Sequence, residues 1–414
     1  MSRWGRDPAR DAWRDDRAWQ AGILIGSALG AAATVIGRRM EGRARGGLVD
    51  WPAVERIAVA RIAAAPGRLS ATELRAAEPA YHAAMDRIVP ALSAALGTPL
   101  PGVVERSSVV DRAAWIAANT SAFASLMGRL EADLLDQVVP VGGGLAKATM
   151  ALANRWVTTR QLGFLLGFMG QRVLGQYDLA LLSAEATPGR LLFVEENIRQ
   201  TATALNLPLE PFRTWIALHE TTHAFEFEAH PWLRPYLASR LERQIALFGN
   251  DVQGMGREAL RGVGRALRGE GDGRHWMERL MGEEQRRLFR ETQAVMSLLE
   301  GFSDYVMDEV GKDLVPDVER ISARFHERRA RRTTFERAML RLTGMDLKME
   351  QYKKGEAFVR AIAEARGRDT LGRLWVGPES LPRDGEIEAP ERWMARVLDG
   401  AVLDGAAMDS RVAP

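Results

Sequence analysis

His219-Glu220-Thr221-Thr222-His223 carries the residue types and spacing for metal chemistry. On an α-helix, residues four apart lie one turn above each other, so both imidazoles reach one point, as two ligands of one metal ion must. Glu220, about 100° round the helix from His219, can reach a water held by that metal and take its proton as general base. A chance match and a histidine pair kept for packing are the competing explanations. The flanks favour the metal: Phe212, Trp215, Ile216 and Leu218 precede the motif, Ala224, Phe225 and Phe227 follow it, and neither Gly nor Pro falls between Phe212 and Phe227. A buried histidine pair without a metal needs other partners for its ring nitrogens.

A catalytic zinc takes three protein ligands and a water. The chain has no Cys, so the third ligand must be His or a carboxylate. Glu300 is the candidate, because it sits between Leu298-Leu299 and Gly301-Phe302, where a buried carboxylate needs a counter-charge that a metal supplies. Asp304, one turn on, is placed to accept the outer N–H of a ligand histidine, and Gly301 would let a facing helix approach closely. A solvent-exposed Glu/Asp stripe is the alternative. Tyr352 or Arg324 could stabilise a tetrahedral oxyanion. His230 follows His223 without the Gly and the interval of the metzincin pattern, and reads as a turn or supporting residue. His326 lies in the basic run Ile321 to Arg332, whose default is a solvated face.

These residues must be positioned by a large, mostly helical body. With 414 residues and 46% apolar composition, one large or two intimately packed domains are expected. A formal net charge of +2 leaves no domain-wide positive excess, so nucleic-acid binding is excluded as the main function even with a pI near 9.0. Residues 1–20 read as a solvated lead-in. Residues 21–37 are uncharged but Gly/Ala-rich, at the lower edge of a membrane span; a small-residue helix packed on the body is preferred, and membrane association through 21–37 stays open but disfavoured, with a cytoplasmic body. From Trp51 to about Leu130 the pattern is helical, broken at Pro66-Gly67, Gly97-Thr98-Pro99 and Pro101-Gly102, with a capping box at Ser70 and Glu73. Pro140 to Gly144 lacks the Lys-Ser/Thr of a phosphate loop and reads as a hinge. Leu145 to Gly175 is a buried core helix, ended by Gly175-Gln176-Tyr177-Asp178. Leu191 to Val194 is the best strand, and a strand just upstream of the metal helix is where a zinc peptidase pairs an extended substrate with a sheet edge. Residues 249–275 read as a connector or lid, and Leu347 to Ala363 as a further helix. The boundaries expected are 1–50 for the lead-in, 51–145 for an N-terminal helical region, 146–400 for the catalytic region and 401–414 for the tail.

The motif with Glu300 and Asp304 on a later helix resembles the gluzincin peptidases. In those the Glu is the third zinc ligand and the Asp supports a ligand histidine. ALHETTHAFEFEAHPWLRPYL, LLEGFSDYVMDEVG, VLGQYDLAL, LLFV and QYKKGEAFV together look like an actinobacterial and chloroflexus-type family of zinc-dependent metalloproteases. That family is also linked by name to coenzyme F420 biosynthesis, which implies no bound deazaflavin. The resemblance runs from Trp51 to Val397, and relatives carry Glu-Gly-His-Ala-Asp where this chain has Glu300-Gly301-Phe302-Ser303-Asp304, so no histidine stands at that place. It implies a mainly α, zincin-like metallohydrolase core with a small β element in a helical body. Zn²⁺ would be held by His219, His223 and Glu300, with a peptide or small amide as substrate. The rivals are a catalytically silent metal-binding protein and a hydrolase of a small non-peptide amide.

Overall fold

The computed structural model describes residues 49–135, 145–177, 189–251, 282–330, 345–383 and 385–400. The lead-in, residues 21–37, the loop at 140–144, most of 249–275 and the tail from 401 lie outside them. The described chain is mainly helical with one three-stranded sheet, and none of its described helices is long and apolar enough to cross a membrane. Two compact units divide it, one drawn from Met1–Ala64, Ile116–Met169 and Arg243–Arg286, the other from Ala65–Trp115, Gly170–Glu242 and Arg287–Pro414.

In the first unit, helix α1 (Trp51–Ile62) starts where the Asp50 carboxylate accepts from Ala53 N, satisfying an orphan donor of the first turn. Helix α4 (Leu145–Gly170) meets α1 through two glycines: a Cβ at Gly163 would lie 2.7 Å from Ile57, and one at Gly167 2.9 Å from Arg61. Its apolar run is therefore a packing face, as expected.

The second unit holds the motif. Helix α2 (Ala71–Leu96) has the Ser70/Glu73 capping box and ends at Gly97 in the left-handed region. Strand β1 (Ser107–Val110) precedes helix α3 (Arg112–Leu135), which Asp111 caps by accepting from Ala114 N. The sequence pattern had extended helix through this segment; Ser107–Val110 is a strand because its partner, β3 (Leu191–Val194), is distant in sequence and pairs with it in parallel. Strand β2 (Gly175–Tyr177) pairs antiparallel on the other side of β3. The sheet order β1-β3-β2 corrects the expectation that Leu191–Val194 offers the edge. That strand is central and fully buried, and Gly175–Tyr177, read as a helix end, is one edge, with β1 the other.

At the end of β3 the chain enters helix α5 (Glu195–Leu205) with three buried polar residues in succession. Glu195 accepts from Tyr81 Oη at 2.7 Å and from Arg199 and Arg213. Glu196 accepts from Leu69 N and Arg112 N, and Asn197 donates to Gly170 O and Val173 O. Burying these groups is tolerable because each is bonded. They tie the sheet to α2 and, through Arg213, to helix α6 (Leu209–Glu228), the metal helix. The later helices are α7 (Leu233–Asp251), α8 (Glu283–Leu314), α9 (Val318–Ala330), α10 (Met345–Arg366) and the short α11 (Pro390–Met394).

Helices α8 and α10 cross where both are glycine. A Cβ at Gly301 would fall 2.1 Å from Gly355 C, and one at Gly355 1.9 Å from Ser297 O. The close approach expected of Gly301 is real, and its partner is α10. Because Gly301 adjoins Glu300, the crossing fixes the height of the candidate ligand. Gly355→Ala is expected to destabilise the protein by about 1–3 kcal/mol through overpacking, read as a lower midpoint in chemical denaturation; an unchanged midpoint would contradict a backbone-to-backbone crossing here.

Candidate metal centre

Helix α6 forms because an apolar sequence without Gly or Pro runs from Phe212 to Phe227, and it is buried almost throughout. Thr221 and Thr222 return their hydroxyls to Ala217 O and Leu218 O at 2.7 and 2.9 Å, so they enter the core without loss of hydrogen bonds. His219 and His223 remain as the helix's half-exposed pair, with side chains 19% and 15% accessible.

The two Nε2 atoms face each other at 3.3 Å, with rings nearly perpendicular. Glu300 Oε2, from α8, lies 3.8 Å from each of them. Donors at about 2.0–2.2 Å from a tetrahedral zinc stand roughly 3.3–3.6 Å from one another, so the three atoms already occupy nearly the right triangle. Two imidazoles and a carboxylate also suit zinc by ligand type. His219, His223 and Glu300 form the potential metal-binding group found among the described residues. Sequence proposed the same three, and the fold brings them together.

His223 Nδ1 lies 2.8 Å from Glu226 Oε2 and 3.3 Å from Ser303 Oγ, while His219 Nδ1 lies 3.1 Å from Met307 Sδ. The carboxylate beside His223 Nδ1 is Glu226, a residue not singled out from the sequence. Asp304 itself is half-buried, one turn beyond Glu300 on α8. Glu226 was legible as a carboxylate three residues past His223, on the same helix face, but the flanking phenylalanines mark that stretch as core. Tyr352 lies on α10, within a turn of the Gly355 crossing, and its side chain is outside the described residues. Arg324 is exposed and pairs with Glu327. His230 ends α6: its Nδ1 is 2.8 Å from Glu226 O and its ring stacks on Trp375 at 5.0 Å, a turn residue as expected. His326 belongs to α9, with its side chain outside the described residues.

Glu220 follows His219 on α6, about 100° round the helix, and is 8% exposed. Its Oε2 accepts from Tyr177 N at 3.0 Å. Val194 N donates to Leu174 O, so alternation along the antiparallel pair turns the backbone groups of Gly175 and Tyr177 away from β3 and towards Glu220. A Cβ on Gly175 would stand 2.5 Å from Glu220 Cγ. The edge strand and the candidate base are one packed unit.

These positions can be compared with known proteins. A model of zincin-like metallopeptidases matches residues 49–394. The chain belongs to that family. A crystal structure of a presumed hydrolase with a novel fold from Chloroflexus aurantiacus is 35% identical, superposes with a TM-score of 0.62, and aligns over 84% of this chain and 98% of its own. No curated protein matches. Membership in a zincin-like family and the likeness to that relative support a hydrolase, and the family as a whole implies zinc.

Burial opposes charge on His223, yet Glu226, by charge and by hydrogen bond, and then Glu300 and Glu220 raise its pKa from 6.5 to about 9. Burial pushes Glu226 up from 4.5 to about 7, against the pull of His223. Both shifts mean that the metal-free fold holds protons more tightly than the unfolded chain. This pair's contribution to stability is therefore greatest at low pH and, for His223, is lost as pH rises from 6.5 through about 9. Metal binding needs the His223 Nε2 lone pair. Loading the metal-free protein at pH 7.5 should accordingly release about one proton, seen as a dependence of calorimetric binding enthalpy on buffer ionisation enthalpy. A slope of zero would show that His223 is already neutral.

Proposed function

We propose that the chain is a zinc-dependent peptidase in which Glu220 is the general base. The observation that carries the proposal is the position of Glu220. It lies one residue from a metal ligand, and its carboxylate is held by the backbone of an edge strand.

A zinc ion at His219, His223 and Glu300 would supply Lewis acidity and lower the pKa of water in the site. Everything else falls to the chain. Glu220 Oε2, anchored at Tyr177 N, accepts the proton of the attacking water and passes it to the leaving nitrogen. Gly175 turns its backbone groups to the side of the sheet where an extended peptide can add as a further strand. Because Gly175 has no side chain, backbone and base can lie against each other there. An extended substrate therefore meets hydrogen-bonding groups and the base in one place, which favours a peptide over a compact small amide. His219 and His223 project from a helix buried on its remaining faces, so their geometry is set before substrate arrives.

Two experiments test this reading. Purified protein should contain about one zinc per chain, and Glu300→Ala should lose it during dialysis that leaves the parent loaded. Equal retention would move the third ligand elsewhere. Glu220→Gln should keep the zinc but lower hydrolysis of a peptide library by about 10²–10⁴-fold; undiminished turnover would remove Glu220 from the mechanism, and cleavage of short N-acyl amides alone would favour the small-amide reading.

A further inference from the structure

We infer that Glu226 is a positioning residue of the metal centre, holding His223 so that its Nε2 faces the metal. The inference rests on the reading of His219, His223 and Glu300 as metal ligands.

Four features of Glu226 lead to it. Glu226 Oε2 is 2.8 Å from His223 Nδ1, the nitrogen turned away from Glu300. The residue is 0% exposed. Its second oxygen, Oε1, is buried without a hydrogen-bond partner. Finally, the main chain is held as well, since His230 Nδ1 lies 2.8 Å from Glu226 O at the end of α6.

A buried carboxylate with one oxygen unpaired is costly. Stability of the fold alone would favour an apolar residue between Phe225 and Phe227, which are both buried. A carboxylate gains there by what it does to the imidazole. Accepting Nδ1–H fixes the tautomer that leaves the Nε2 lone pair exposed, sets the ring plane and strengthens Nε2 as a donor. Ser303 Oγ, 3.3 Å from the same Nδ1, adds a second contact from α8, the helix that carries Glu300. His219 has a thioether, Met307 Sδ, beside its Nδ1, a weak acceptor.

The test uses the full chain stripped of metal. Glu226→Gln preserves volume and an acceptor but removes the charge. Zinc affinity, measured by competition with a chromophoric chelator, should fall about 10–100-fold. The ¹⁵N resonances of the metal-free protein, recorded above pH 9 where His223 is neutral, should show it losing its fixed Nδ1–H tautomer while His219 is unmoved. Glu226→Asp, which keeps charge but shortens the reach, should fall between parent and Gln, and serves if Gln does not fold. Parent-like affinity in either folded variant overturns the inference, as does loss of affinity with an unchanged His223 tautomer. If the parent itself binds no zinc, the metal-site reading fails first and the inference with it, a result distinct from a tight-binding parent with an indifferent Gln variant.

Discussion

Three donor atoms, His219 Nε2, His223 Nε2 and Glu300 Oε2, lie within 3.3–3.8 Å of one another at the edge of an apolar core, and the second unit is built to tolerate that. Such a cluster is unfavourable without a cation or shared protons, because two ring nitrogens and a carboxylate are partly stripped of water together. The fold must therefore hold α6 and α8 in contact against local cost. It does so with the buried apolar faces of both helices, from Phe212 to Phe227 on one and from Val295 to Val306 on the other. The crossing at Gly301 and Gly355 removes the side chains that would keep α8 and α10 apart.

The sheet is small but decides where Glu220 sits. Three strands of three or four residues are marginal on their own. They persist because β3 is buried on both faces and because Glu195, Glu196 and Asn197 bond its end to the surrounding helices. This gives β2 a rigid neighbour on one side, and on the other its Tyr177 N–H is directed at Glu220. Fixing a carboxylate with a backbone donor costs little entropy, since the donor is already immobile. The zincin-like relationship thus rests on more than a short motif: the match over 49–394 includes the strands, both ligand helices and α10.

Negative charge is concentrated around His223. Glu226, Glu300 and Glu220 all raise its proton affinity, and the same field would attract a divalent cation. Protons and metal compete for one nitrogen, which ties the charge state of the site to its occupancy.

How much of this was legible in the sequence follows from the range of each interaction. The motif helix, its two candidate ligands and its candidate base are local features, fixed by a four-residue spacing within an apolar run, and so could be read directly. The capping box at Ser70 and Glu73 and the turn at Gly97 are local in the same way. Glu300 could be singled out as the partner of the α6 histidines because a carboxylate amid Leu298, Leu299 and Phe302 needs a counter-charge, though only the packing of α8 on α6 brings it to them. What only the tertiary structure decided was non-local. Ser107–Val110 and Gly175–Tyr177 become strands through pairing with Leu191–Val194, and that pairing puts β3 at the centre and β1 and β2 at the edges. The carboxylate beside His223 is Glu226 because the ring turns towards its own helix, a choice of side-chain rotamer settled by packing. Spacing along one helix determines which residues can share a metal; the packing of helices and strands against that helix determines what holds them there.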